Sequence, residues 1–399
     1  SGGDPKVIPN LTYEDYKAFY HKHYHPQNSL LVLYGKMDLL SQLDFIDKEY
    51  LSHFKASDDL IKIEKPKALI DLNYEEDYAI SGNETEENNA YLGISFALPE
   101  ASNVEENLAF SILRDALFGT NDSPLKKTLL DLNLCDDIDS SIDDDCITPS
   151  LQISIKKTDK KNKQLFYDTI INECKKYVKN GLDKKALLAT INFAEFKHKE
   201  LDMGTMPKGV IFAISLMQSF NYDIPLEDAL VANKYFKKFK ELINDNYFEN
   251  LLEKYIINSK HYVIVTLNPS ASLASESENC FKEQMASIKA SMSDEELDAL
   301  IKQTNDLIKY QSSTDTEESL RKLPSLAVSD IYLNINKLST SILHDKNVTK
   351  LVHKFNTNGI GYLNLYFDLS TLSIDELNYA SMLPALLIYL DTKNYKASE

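Results

Sequence analysis

The apolar positions of the first sixty residues change period twice. In "YEDYKAFYHKHY", Tyr13, Tyr16, Phe19, Tyr20 and His23 recur at three- and four-residue steps, which predicts a helix. Thr12, with Asp15 three residues on, is the pairing that caps such a helix. His25-Pro26 ends it, because the residue before a proline is driven out of the α region. "SLLVLYG" is then a continuous apolar run closed by Gly35, predicting a buried strand, and "LLSQLDFIDKEYLSHF" returns to helical spacing. Helix, strand and helix in succession give an α+β pattern.

The charged stretch "KASDDLIKIEKPKALIDLNYEED" carries Pro66, has no helical period and reads as a linker. A second region begins at "NNAYLGISFAL" with a strand reaching Leu98, followed by a helix, "VEENLAFSILRDALFG", boxed by Ser102 and Glu105. The loop "GTNDSPL", a helix "KKTLLDLNL" and a strand "SLQISIKK" continue it, and long helices are predicted near 163–179 and 183–201. "HYVIVTLNP" closes the region as a strand ending at Pro269.

Next, "SENCFKEQMASIKASMSDEELDALIKQTNDLIKYQ" is helical throughout, and Ser293 with Glu296 forms a capping box in its middle. Two helices meeting at Ser293 make a hairpin predicted to pack on the second region and to bury Ile288, Met292, Leu297, Leu300, Ile301 and Leu307. Its flanks, Asn268-Pro269-Ser270 and Lys322-Leu323-Pro324-Ser325, are expected to be loop hinges. Beyond Pro324, "DIYLNINK", "NVTKLVHKFNTN" and "GIGYLNLYFDLS" predict strands, and "SIDELNYASMLPALLIYL" predicts a helix.

Composition narrows the function classes. A net charge of −18, from 61 acidic and 43 basic residues, excludes a phosphate-backbone binder, because nucleic-acid affinity comes mainly from Lys and Arg replacing counterions. Arg114 and Arg321 are the two arginines, so bidentate phosphate clamps are nearly absent as well. No apolar run approaches the roughly 20 residues that span a bilayer. Nucleic-acid and membrane partners are therefore not expected, and a cytoplasmic location is, with an organelle lumen or matrix as the alternative. Cys135, Cys146, Cys174 and Cys280 form no CxxC pair, which reads as four free thiols. The opening "SGGDPKVIPN" has no initiator Met, an expectation of a chain processed, truncated or cut from something longer.

Three of the eight histidines, His21, His23 and His25, fall in "HKHYHP". Imidazole is a common zinc ligand, but His21 and His25 share a helix face, His23 points away from it and Pro26 breaks the turn. His198 and Glu200 are two apart on a helix, cannot chelate together and read as a solvated face. Asp136, Asp137, Asp139, Asp143, Asp144 and Asp145 lack the glycine and closing glutamate of a calcium loop and read as an acidic turn.

Four stretches, "SGGDPKVIPNLTYEDYKAFYHKHYHPQN…YG", "LFGTNDSPLKKTLLDLNL", "MPKGVIFAISLMQSF" and "TNGIGYLNLYFDLS", resemble the presequence-protease and falcilysin-like branch of the pitrilysin/insulinase zinc metallopeptidases, in the family's order. The resemblance implies pitrilysin-like α+β domains, each a mostly antiparallel sheet with helices on one face, joined by a helical hairpin. It assigns 1–60 to the C-terminal part of a first peptidase-like domain, 70–272 to a second, non-catalytic domain, 273–325 to the hairpin and 326–399 to the start of a third domain.

Catalysis in that family needs His-x-x-Glu-His on a helix, with histidines one turn apart and a glutamate acting on zinc-bound water. No such motif occurs here, and Tyr24 stands where a glutamate would be needed. The resemblance thus implies an internal portion of a zinc endopeptidase that degrades short unfolded peptides in a closed two-bowl chamber, itself catalytically incomplete. No catalytic or metal-ligating residue is assigned, zinc is expected in the parent and not on this chain, and the substrate-binding residues stay unassigned. Expected partners are peptides, basic ones favoured by the acidic balance, and the remaining domains of the same polypeptide. The alternative is a non-catalytic scaffold or peptide-binding subunit of the same family.

Overall fold

The alternation in "AYLGISFA" organises the larger part of the molecule. In the computed structural model, which describes residues 3–56, 61–201, 204–331, 338–346, 348–387 and 389–395, this stretch is a strand with Leu92, Ile94 and Phe96 on one face, none more than 2% exposed. The elements in chain order are α1 (Tyr13–His23), α2 (Leu39–Glu49), β1 (Leu72–Ala79), β2 (Ala90–Ala97), α3 (Val104–Phe118), α4 (Pro124–Asp131), β3 (Asp137–Asp143) and β4 (Ser150–Thr158). Then come α5 (Lys163–Asn180), α6 (Lys184–Glu200), α7 (Lys208–Asn221), α8 (Leu226–Leu230), α9 (Asn233–Leu242), α10 (Tyr247–Leu252) and β5 (Tyr262–Ser270). The remainder is α11 (Leu273–Ser291), α12 (Asp294–Ser312), α13 (Glu317–Leu320), β6 (Thr340–Asp345), β7 (Val348–His353) and α14 (Ile374–Leu386). Two compact units result, one of Ser1–Tyr78, Thr85–Pro269 and Tyr362–Glu399, the other of Ala79–Glu84 and Ser270–Gly361.

In the first unit the strand order is β1-β5-β2-β4-β3, and β2 pairs antiparallel with both β4 and β5. Leu151, Ile153 and Ile155 of β4 and Tyr262 and Ile264 of β5 turn to the same face as Phe96. Helices cover that face with Phe110 and Leu113 of α3, Phe166 and Ile170 of α5, Phe239 of α9 and Phe248 of α10, all no more than 1% exposed. The opposite face keeps Gln152 and Lys156 in solvent. This is the expected α+β layering, a mostly antiparallel sheet with helices on one side.

Several local expectations are corrected. The linker reading ran through Asp77, but β1 begins at Leu72. The acidic "turn" is largely strand β3: Ile138 and Ile142 stand opposite Ile155 and Leu151 of β4, and their burial outweighs the loop preference of the aspartates. Charge on this edge strand is held by Lys156 to Asp139 at 2.5 Å and discourages pairing with another chain. Helix α3 is capped one residue later than predicted, by Asn103 Oδ1 accepting from the Glu106 N–H at 3.1 Å. "SLLVLYG" and "GIGYLNLYFDLS" form no strand among the described residues, because a strand exists only with a paired neighbour and the main chain of Leu30–Gly35 and of Leu363–Phe367 has none there. Asn268, Pro269 and Ser270 are the end of β5, not a loop. Most of "DIYLNINK" lies outside the described residues.

In the second unit α11 and α12 meet at Ser293 as predicted. The Ser293 Oγ accepts from the Glu296 N–H at 3.2 Å, and Glu296 Oε2 accepts from the Ser293 N–H at 2.9 Å. The predicted burial is not found: neither helix has a buried residue, and Ile288, Leu300, Ile301 and Leu307 are 47–53% exposed. A stripe at helical spacing marks the face that needs a partner, not the presence of one. Ser293→Ala is expected to destabilise the first turn of α12 by about 1 kcal/mol, read as faster amide exchange there. Unchanged exchange would remove the capping box from the account.

Candidate functional site

The tail of residues 3–56 folds around "HPQN". Tyr24 and His25 leave helical geometry before Pro26, so α1 ends at His23. His25 Nδ1 accepts from the Gln27 N–H at 3.2 Å, which fixes Nε2 as the N–H that donates to the Lys55 carbonyl at 3.1 Å. Asn28 donates to the Lys22 carbonyl at 3.2 Å and accepts from the Ile61 N–H at 3.3 Å. These bonds staple the end of α1 to the chain leaving α2. His23 lies on Phe19 with centroids 4.1 Å apart, and His21 meets Tyr20 edge-on at 5.9 Å. Both nitrogens of His25 are thus committed to the main chain, and the cluster does not fit zinc. Among the described residues no group of three or more His, Cys, Asp or Glu is placed to hold a metal ion.

His198 and Glu200 go separate ways. His198 is half-buried beside Phe236 at 5.8 Å, and that burial lowers its pKa below the ordinary histidine value. Glu200 accepts from the Tyr362 hydroxyl at 3.0 Å. The solvated-face reading is therefore corrected for His198, whose ring packs inward.

The feature that sequence reasoning missed lies between "SLLVLYG" and α7. A groove of 780 Å³ runs between Asn28–Tyr34 and the face of α7 that carries Val210, Ile214, Met217 and Phe220. These four are 36–51% exposed, an apolar helix face without cover. Lys208 at the start of α7 donates to the Glu200 carbonyl at 3.3 Å, where a cation complements the last carbonyls of α6. At the far end the Tyr222 hydroxyl donates to the Asp145 carbonyl at 3.0 Å, and Gln218 to that of Asp144, tying α7 to the β3–β4 turn. Burial and the neighbouring Asp145 carboxylate push the Asp144 carboxyl up.

The other wall is an open strand. The main chain of Leu30–Gly35 makes no hydrogen bond among the described residues, although Ser29 is anchored on the Pro26 carbonyl at 3.1 Å through its N–H and 2.8 Å through its hydroxyl. The main chain of Leu363–Phe367 likewise makes no hydrogen bond among the described residues. Apolar, β-prone chain with free N–H and C=O groups is a template for another strand. The signal for the groove was Gly209, an isolated glycine in the helical run "PKGVIF", where Tyr34 approaches.

A mostly antiparallel sheet with helices on one face is the layering of a pitrilysin-like domain. The chain belongs to the M16 peptidase family, the pitrilysin/insulinase group, in its presequence-protease-like branch: "Peptidase M16 inactive domain" matches residues 10–193, and the domain associated with the C branch of the M16 peptidases matches 267–399. It is 32% identical over its whole length to "Protein HypA" of Clostridium perfringens, covering 41% of that protein. To "Presequence protease 1, chloroplastic/mitochondrial" of Arabidopsis thaliana it is 30% identical over 99% of its length, covering 37% of the relative. The chain thus spans about two fifths of the length of the curated relatives it matches. Its fold resembles the crystal structure of a peptidase M16 inactive domain from Pseudomonas fluorescens, with a TM-score of 0.52 at 19% identity over 68% of this chain and 61% of that one. No helix of the described residues is long and apolar enough to cross a membrane.

Proposed function

We propose that this chain is the internal, non-catalytic portion of a zinc metalloendopeptidase that degrades short unfolded peptides in a closed two-bowl chamber. Residues 1–60 complete the first, zinc-bearing domain, 70–272 form the second domain and one wall of the chamber, 273–325 join the bowls and 326–399 begin the third domain. The observation that carries this reading is the open strand at Leu30–Gly35 beside the uncovered face of α7. A main chain this apolar and unpaired is completed by another strand of the same protein. The occupant proposed is the zinc-bearing segment, and the relatives, more than twice as long as this chain, have the length to supply one. Zinc would activate the attacking water there, while the groups of this chain hold the supporting sheet and wall.

The net charge of −18 favours basic peptides through long-range attraction, and that preference weakens as salt rises. The proposed compartment is the cytoplasm, with an organelle matrix favoured instead by the designation of the Arabidopsis relative. A fluorogenic peptide assay tests the function. The longer polypeptide is expected to turn over unfolded peptides and to stop on chelation, and this chain with added zinc to do neither. Chelator-sensitive turnover by this chain alone would overturn the reading, and a longer polypeptide that binds peptides without cleaving them would make it a scaffold.

A further inference from the structure

We propose that Gly209 and Tyr34 form a positioning key, which sets the angle at which the open strand, and the zinc-bearing segment paired with it, meets α7. This rests on the function proposed above. Gly209 has no positive φ, so the backbone does not require glycine, and glycine within a helix is unfavourable by about 1 kcal/mol relative to alanine. Space is what requires it. A Cβ on Gly209 would fall 2.8 Å from Tyr34 Cδ1 and 2.9 Å from its Cβ and Cγ. Cβ and Cγ are root atoms of the side chain, and the ring is further held against Phe212, with centroids 5.6 Å apart.

Tyr34 is the last side chain of the open strand, because Gly35, at φ +134°, turns the chain out of it. The other end is fixed by Ser29 and Asn28 on the "HPQN" staple. The strand is therefore held at both ends and open between them, so a paired strand inherits its tilt. Ordinary van der Waals contact requires about 3.5–4.0 Å, so a methyl group at Gly209 would move the Tyr34 end of the strand by about 1 Å. A misplacement of that size, transmitted to a reacting centre, lowers turnover by about 100-fold.

The test is a double-mutant cycle in the longer polypeptide. If the wild type shows no zinc-dependent turnover, the proposed function has failed; if it does, the variants judge the key. Gly209→Ala is expected to lower kcat by about 100-fold per zinc-loaded molecule with zinc content and KM little changed. Tyr34→Gly in that background removes the obstructing atoms and is expected to recover at least about tenfold. A purely structural role would reduce the yield of folded protein and leave kcat per zinc-loaded molecule intact. Unchanged kcat in Gly209→Ala, or a loss that Tyr34→Gly does not relieve, would overturn the proposal. Should Gly209→Ala not fold, Tyr34→Gly alone decides: it dissolves the key from the strand side and is expected to lower kcat by several-fold, up to about tenfold, and wild-type kcat would overturn the proposal equally.

Discussion

Phe110→Ala lowers the unfolding free energy of the sheet-bearing unit by about 3–5 kcal/mol, the range for emptying a buried aromatic site. Phe110 is fully buried in α3, inside the one contiguous core of the first unit. Its ring meets the edge of Tyr255 at 5.5 Å and 84°, and Tyr255 belongs to a short π-helical turn, Glu253–Ile257, that follows α10. That turn brings the Tyr255 hydroxyl within 2.6 Å of Glu106 Oε2, so the cavity would also undercut a polar contact at the N-terminus of α3. Partial collapse decides where in the range the cost falls. The internal control is Ile301→Ala in α12, a residue 50% exposed, for which a change within about 0.5 kcal/mol is expected. Urea unfolding of this chain measures both. A cost below about 1 kcal/mol at Phe110 would mean that the core is not where the structure puts it.

The second large effect separates this chain from the protein proposed to contain it. Val32→Pro and Leu33→Pro remove main-chain donors that have no acceptor among the described residues, so each is expected to change its stability by about 1 kcal/mol or less. Adjacent residues of a strand direct their N–H groups to opposite sides, so in a completed sheet at least one of the two prolines breaks a ladder bond. In the longer polypeptide at least one variant should therefore lose turnover by about 100-fold or more, equivalent to roughly 2.7 kcal/mol. Peptide assays on zinc-loaded material settle the point, and full activity in both variants would show that neither side of the strand is paired.

These expectations depend on what the sequence made legible. "AYLGISFA" alternates because one face of β2 meets the core and the other does not, so the strand and its buried residues could be read directly. "DIDSSID" was hidden because its aspartates carry a loop signal, while Ile138 and Ile142 acquire their meaning only opposite β4. "SLLVLYG" shows the reverse case. Its continuous apolar run of Leu, Val and Tyr identifies a segment suited to a sheet, but pairing is a relation between two segments and the residues alone do not contain it. The stripes of α11 and α12 were legible as stripes for the same reason, and their exposure was not. "HKHYHP" could be examined for a zinc geometry from spacing, yet the role of its last histidine, a bridge from Gln27 to Lys55, depends on a return of the chain after α2. The groove was least legible of all. Gly209 and Tyr34 lie far apart in the chain, and a lone glycine says that something approaches closely without naming it.

Amide hydrogen exchange at Leu30–Tyr34 tests the central claim, that this strand is completed by the zinc-bearing segment, most directly. In this chain those amides have no acceptor among the described residues and should exchange nearly as fast as in an unfolded peptide, while Leu92 and Ile94 in β2 are strongly protected. In the longer polypeptide the same amides should be slowed by at least about 100-fold, matching the protection of a paired strand. Equal and rapid exchange in both proteins would contradict the account, because the strand would then be open in the complete protein as well.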